Sequence, residues 1–149
     1  MKQALQIVIY LLTLTFFASS LNAQNSNSSD AIDFSDREAV ANAVENFFIG
    51  DHTGSIKHKK LSMHEQGAYR SVDREGNYYD SVFDLDSDDS DTSYIEELLD
   101  IDIYGNLALA SLRLENIKSG IPHYKVLTLH KGKDGWKITT ITWGFGIKE

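Results

Sequence analysis

The chain has 149 residues, with 14 Lys and Arg against 22 Asp and Glu and a formal net charge of −8. That acidity argues against nucleic acid or an anionic lipid surface as partner, because phosphate contacts need clustered Lys and Arg. There is no cysteine, hence no disulfide and no tether through a lipid-modified cysteine.

Met1-Lys2 brings a positive charge, Ile7 to Phe17 is an apolar run broken only by Thr13 and Thr15, and Ala18-Ser19-Ser20 follows. This is the three-part plan of a secretory signal peptide, and the run is shorter than the roughly 20 apolar residues a bilayer span needs. Cleavage is expected after Ala23, with Ser20 as the alternative. Removing 1–23 leaves 13 cations against 22 acids, a net of −9. The sequence therefore predicts a periplasmic or secreted protein with no membrane attachment after cleavage. Residues 24–33 read as a flexible linker, since Gln24 to Asp30 carries no apolar side chain and cannot offset the entropy of ordering. Asn27, two before Ser29, fits a glycosylation acceptor.

Residues 34–149 are expected to form a single domain. Ser35-Asp36-Arg37-Glu38 is a capping box, and Val40, Ala43, Val44, Phe47 and Phe48 recur at helical spacing, so a helix is predicted over 35–49 with Gly50 as its stop. A shorter helix follows over 55–62, with Ile56 and Leu61 inward and Lys57, His58, Lys59 and Lys60 in water. A hairpin is read over 67–73 and 78–83. Asp84 to Asp91 is then a solvated acidic loop. Asp84, Asp86 and Asp88 match the first, third and fifth positions of a calcium loop, but Asp89 stands where glycine is needed and Ile95 where a bidentate glutamate is needed.

Four strands end the chain: 95–104, 107–116, 124–131 and 136–145. Connectors such as Tyr104-Gly105-Asn106 are too short to join anything but spatial neighbours, so an antiparallel meander is predicted. Period two places Ile95, Leu99, Ile101 and Ile103 on one face, with Glu96, Asp100 and Asp102 opposite. In the next strand Ala108, Ala110, Leu112 and Leu114 alternate with polar neighbours. A phase change in the last strand, from Trp136 and Ile138 to Ile141, Trp143 and Phe145, predicts a bulge near Thr139-Thr140 that bends the sheet.

The order helix, short helix, hairpin, meander carries Phe47-Phe48-Ile49-Gly50-Asp51, His64, Ile101-Asp102-Ile103-Tyr104-Gly105-Asn106-Leu107-Ala108 and Gly135-Trp136-Lys137-Ile138. Together these resemble the nuclear transport factor 2-like superfamily, which includes ketosteroid isomerase and SnoaL-type cyclases, and within it the family called "putative lumazine-binding". The resemblance implies an α+β cone: a curved antiparallel sheet wrapped around N-terminal helices, with a pocket inside.

An isomerase-type or cyclase-type site needs a general base and a donor to a developing oxyanion. The catalytic candidates are His64 as base, Tyr69 or Tyr79 as donor and Asp102 or His123 as auxiliary; no catalytic residue is carried over from the superfamily. The expected ligand pocket is lined by Val44, Phe47, Phe48, His64, Tyr69, Leu112 and Trp143. Among the five histidines, His52, His58 and His64 fall six apart, which does not align on a helix, so no metal site is read. No cofactor motif is present. The leading expectation is a small-molecule-binding or protein-interaction module. A proton-transfer enzyme using the His64–Tyr69 pair is the alternative, and a homodimer through the sheet face is the expected self-association.

Overall fold

Apolar residues at three- and four-residue steps build the first helix. The computed structural model describes residues 34–145, where α1 (Phe34–Thr53) buries Val40, Ala43, Val44 and Phe47, the face the spacing predicts. α1 does not stop at Gly50. A Cβ there would stand 2.9 Å from Lys59 Cγ and 3.0 Å from Lys59 N, so the glycine lets the next helix, α2 (Ile56–Ser62), cross closely. In α2 the lysines Lys57 and Lys60 are exposed as expected, but Ile56 and Leu61 are not turned inward: they are 37% and 48% exposed, whereas Ser62 is buried. The Ser62 hydroxyl donates to the His58 carbonyl at 2.9 Å. Seven residues make too few turns for periodicity to fix which side faces inward.

Strands β1 (Met63–Val72), β2 (Tyr78–Val82), β3 (Tyr94–Tyr104), β4 (Leu107–Asn116), β5 (Pro122–Gly132) and β6 (Gly135–Phe145) form one curved sheet in the order β2-β1-β6-β5-β4-β3. The meander and the hairpin are antiparallel as expected. β1 instead pairs with β6 in parallel, so the sheet is mixed. No short turn joins those two strands, and the helices before β1 are free to set its direction.

Two bulges interrupt the antiparallel ladders and curve the sheet. One omits Thr139 from the ladder between Thr128–Thr140 and Leu129–Ile138, where the phase change predicts it. The other is Leu99, which falls between the pairs Leu98–Leu112 and Asp100–Ser111. Residues paired across strands share a face, so the inner face can be read in rows from the registers. Ile103–Ala108–Leu129–Ile138 is followed by Ile101–Ala110–Leu127–Ile141 with Tyr69, then Leu98–Leu112–Lys125–Trp143, then Glu96–Leu114–His123–Phe145. α1 lies along these rows. Its N-terminus meets the first, where the Trp136 indole donates to Asp36 at 3.0 Å, and its C-terminus meets the last, where His52 reaches the Tyr94 carbonyl at 3.2 Å. The predicted signal peptide 1–23, the linker 24–33 and Asn27 lie outside the described residues. Among the described residues no helix is long and apolar enough to cross a membrane.

Candidate functional site

A single extra residue in β3 decides which carboxylate enters the cone. Strict alternation sends Ile95 and Leu99 inward and Glu96 outward; with Leu99 bulged out, Glu96 and Leu98 share the inner face with Ile101 and Ile103. Ile95 is accordingly 63% exposed and Leu99 49%, while the Glu96 side chain keeps only 2% of its exposure. Lys125 comes in from β5, in phase with Leu127 and Leu129. Its ammonium lies 3.4 Å from Glu96 Oε1 and 3.8 Å from Asp51 Oδ2, and 5.2 Å from the Phe47 ring centroid. Glu96 Oε2 is buried and accepts no hydrogen bond. His52 Nδ1 stands 3.5 Å from it, close enough to attract, but that nitrogen is directed to the Phe48 carbonyl at 3.0 Å.

These contacts set the protonation of the cluster. Both His52 nitrogens face carbonyl oxygens, which only accept, so a neutral ring leaves one carbonyl opposite a lone pair and the imidazolium satisfies both. Burial opposes that charge, but the carbonyls of Tyr94 and Phe48 and the carboxylates of Glu96 and Asp51 outweigh it and hold His52 above its ordinary value. Burial likewise pushes Glu96 up from the usual carboxylate range, against the pull of Lys125 and His52. Tyr69, beside them, is pushed up to about 12 by burial first and then by Asp51, Tyr79 and Glu96, so its phenol keeps its proton and can donate.

Next to this cluster is a hollow of about 270 Å³ lined by Phe47, Asp51, Met63 and Tyr69 and closed by the segment from Asp84 to Asp91. The acidic side chains of that segment, Asp84, Asp86, Asp88, Asp89 and Asp91, are exposed as expected, but the segment is also tied down. Lys59 Nζ donates to the carbonyls of Ser87 and Asp89, both at 2.9 Å; Lys60 pairs with Asp86 at 2.6 Å; and the Asp91 amide donates to the Asp51 carbonyl at 2.8 Å. It passes so close to the turn between the helices that a Cβ on Gly54 would stand 2.0 Å from the Asp88 carbonyl oxygen. The basic run of α2 is therefore the anchor of an acidic strap, a pairing that sequence separation conceals. The strap's Asp84 Oδ1 accepts from the amides of Asp86 and Ser87, and among the described residues no three His, Asp or Glu side chains come together as a metal-binding group.

Of the seven residues expected to line the pocket, Phe47 and Tyr69 line this hollow. Val44 and Leu112 are 1% and 0% exposed and belong to the packed core, and Phe48 packs against that core from its edge. Trp143 does not line this hollow but a separate groove, its ring centroid 6.2 Å from that of Tyr69. His64 is exposed and opens into a different hollow, of about 750 Å³, with Lys60, Glu65, Asp86, Asp134 and Lys137. Its Nδ1 accepts from the Gln66 amide at 3.1 Å. The two hollows share only Met63 and Asp84, so the expected His64–Tyr69 pair is not brought together. Of the alternative donor and the auxiliaries, Tyr79 packs on Trp143 at 5.1 Å, His123 is on the inner face, and Asp102 is exposed. Glu96, Lys125, Asp51 and His52 are the residues that sequence reasoning missed. Two signals were available: the Leu98-Leu99 doublet that breaks alternation, and a lysine in phase with two buried leucines.

Helices on the inside of a curved mixed sheet, with a hollow at the wide end, define the nuclear transport factor 2-like cone. The chain belongs to the family described as "Putative lumazine-binding", whose profile matches residues 35–144. Among curated proteins none matches. Solved structures share the fold. A nuclear transport factor 2-like protein of unknown function from Shewanella baltica is 15% identical, with TM-score 0.64 over 83% of this chain and 100% of that one. One from Methylobacillus flagellatus is 13% identical, with TM-score 0.64 over 78% and 97%. A superfamily protein from Salmonella enterica serovar Typhimurium is 11% identical, with TM-score 0.54 over 77% and 94%.

Proposed function

We propose that this chain is an exported small-molecule-binding protein whose ligand occupies the hollow beneath the strap, with its apolar part against Phe47 and Met63 and its polar part toward Tyr69 and Asp51. The buried Glu96 carboxylate, one oxygen of which accepts no hydrogen bond, beside Lys125, His52 and Asp51, carries the reading. A buried charge cluster stabilises a fold poorly compared with apolar residues of the same volume, so its presence beside the hollow beneath the strap fits a role in recognition. The protonated Tyr69 phenol adds a donor with no acceptor of its own among the described residues.

Native mass spectrometry of the protein isolated from its exporting cells tests this, with Tyr69→Phe and Glu96→Gln beside the wild type. The reading expects a bound small molecule in the wild type and its loss or weakening, by about tenfold, in either variant. Equal retention by all three proteins, or a wild type that carries nothing and takes up no added probe, lumazine included, would overturn it. N-terminal sequencing of the same material checks cleavage after Ala23.

A second reading concerns the outer sheet face, which exposes Ile95 at 63%, Leu99 at 49%, Tyr124 at 46% and Val126 at 39%. These side chains favour pairing of two copies face to face. Sedimentation velocity should then show a dimer that Val126→Lys converts to monomer.

A further inference from the structure

The parallel pairing of β1 with β6 ends at Tyr69 and Ile141, and beyond it the two strands border a groove of about 640 Å³. Its walls include Ser71, Val72, Asp73, Arg74, Trp143 and Phe145, none of which lines the hollow beneath the strap. We propose that this groove is a separate binding site for a small planar aromatic carboxylate, whose ring packs against Trp143 and Phe145 and whose carboxylate is taken by Arg74.

The charge argument rests on the four arginines of the chain. Arg37, Arg70 and Arg113 each pair with a carboxylate, to Asp100, Asp80 and Glu115. Arg74 does not: its guanidinium carbon stands 4.9 Å from the Phe145 ring centroid, and its N–H donors have no protein acceptor among the described residues. The nearest acid in sequence, Asp73, is committed to its own turn, accepting from the amides of Glu75 and Asn77 and from the Asn77 side chain. In a chain with this excess of acids, an arginine that has no carboxylate among the described residues and lies over an aromatic ring is a selective place for an anion.

The body of the ligand follows from the walls. Trp143 meets Tyr79 edge-on at 5.1 Å, and Phe145 meets His123 edge-on at 5.5 Å, so a further ring can extend an array already built from edge contacts. A free phosphate has no apolar body to fill the groove, and one guanidinium is a poor match for a dianion. His123 does not supply a second charge, since its own burial and then Arg74 hold it below its ordinary value.

Titration with 2-naphthoate, followed by calorimetry and by amide shifts in the intact protein, tests the site. Cyclohexanecarboxylate and the uncharged 2-naphthamide are the comparison compounds. Shifts at Arg74, Thr142 and Gly144, tightest binding for 2-naphthoate, and a loss of about tenfold or more in Arg74→Gln are expected. Arg74→Lys should retain part of the affinity, and Arg70→Gln, which alters an arginine already paired, should match the wild type. Equal binding by Arg74→Gln, equal binding of 2-naphthamide, or shifts confined to Asp51 and Tyr69 would overturn the proposal, as would no binding at millimolar concentration.

Discussion

The two ends of the cone are built from the same strands and do opposite things. At the end where α1 begins, the inner rows hold Ile103, Ala108, Leu129 and Ile138, then Ile101, Ala110, Leu127 and Ile141. The side chains of Ala108, Ala110, Leu127, Leu129, Ile138 and Ile141 are wholly buried. Two rows further on, the same strands present Lys125, Trp143, Glu96 and His123, and α1 supplies Asp51 and His52 opposite them. The first region is close-packed and derives its stability from burial; the second places charges in a partly dry environment, where their pairing matters and an orphan oxygen remains. Packing and the proposed binding are thus separated along one helix.

The sharpest way to break this contrast is to damage each end in turn. Leu127→Ala, at the packed end, should cost about 2 to 5 kcal/mol in urea denaturation, because transfer and cavity terms add where neighbours cannot collapse. Lys125→Met, at the other end, should cost about 3 kcal/mol by leaving the Glu96 carboxylate buried without its cation. The double variant Lys125→Met/Glu96→Leu should then recover to within about 1 kcal/mol of the wild type, whereas no second apolar change rescues Leu127→Ala so simply. If the double variant is no better than the single, the polar end is a structural pair and its functional reading fails.

Two glycines sharpen the role of the strap. Gly54 and Gly76 both have positive φ, +67° and +88°, but nothing lies within 4 Å of a Cβ on Gly76 while the Asp88 carbonyl lies 2.0 Å from one on Gly54. Gly76→Ala should cost about 1 kcal/mol from the backbone alone. Gly54→Ala should cost clearly more and should speed amide exchange from Asp84 to Asp91 as the strap lifts.

The smallest expected effect is in pH. His52 is raised in the folded protein, so its contribution is fully present below the ordinary histidine value of 6.5 and fades as pH rises through its higher folded value. Glu96, also raised, acts in the same sense, its carboxylate becoming less welcome as pH rises past 4.5. Thermal melts of wild type and His52→Gln should therefore differ most at mildly acidic pH and converge in alkali. A gap that widens with pH would show that His52 is neutral when folded.

Local pattern was enough to read most of the architecture. The buried face of α1, the four-strand meander, the inward set Ala108, Ala110, Leu112 and Leu114 and the bulge at Thr139 all follow from periodicity, and the family resemblance follows with them. The site was much less legible. One bulged leucine exchanges the two faces of half a strand, so Glu96 is invisible to strict alternation. The strap is held by one lysine, Lys59, 28 and 30 residues away from the two carbonyls it binds, and His64 and Tyr69, five positions apart on one strand, open into different hollows.

What the amino-acid sequence determined by itself is whatever depends on neighbours along the chain: helix and strand periods, turns, and the apolar stripes that must be buried. What only the tertiary structure decided is which charged groups meet. Their pairing energies depend on distance and on the exclusion of water, and both are set by strand register, by a one-residue bulge and by how closely two helices can cross.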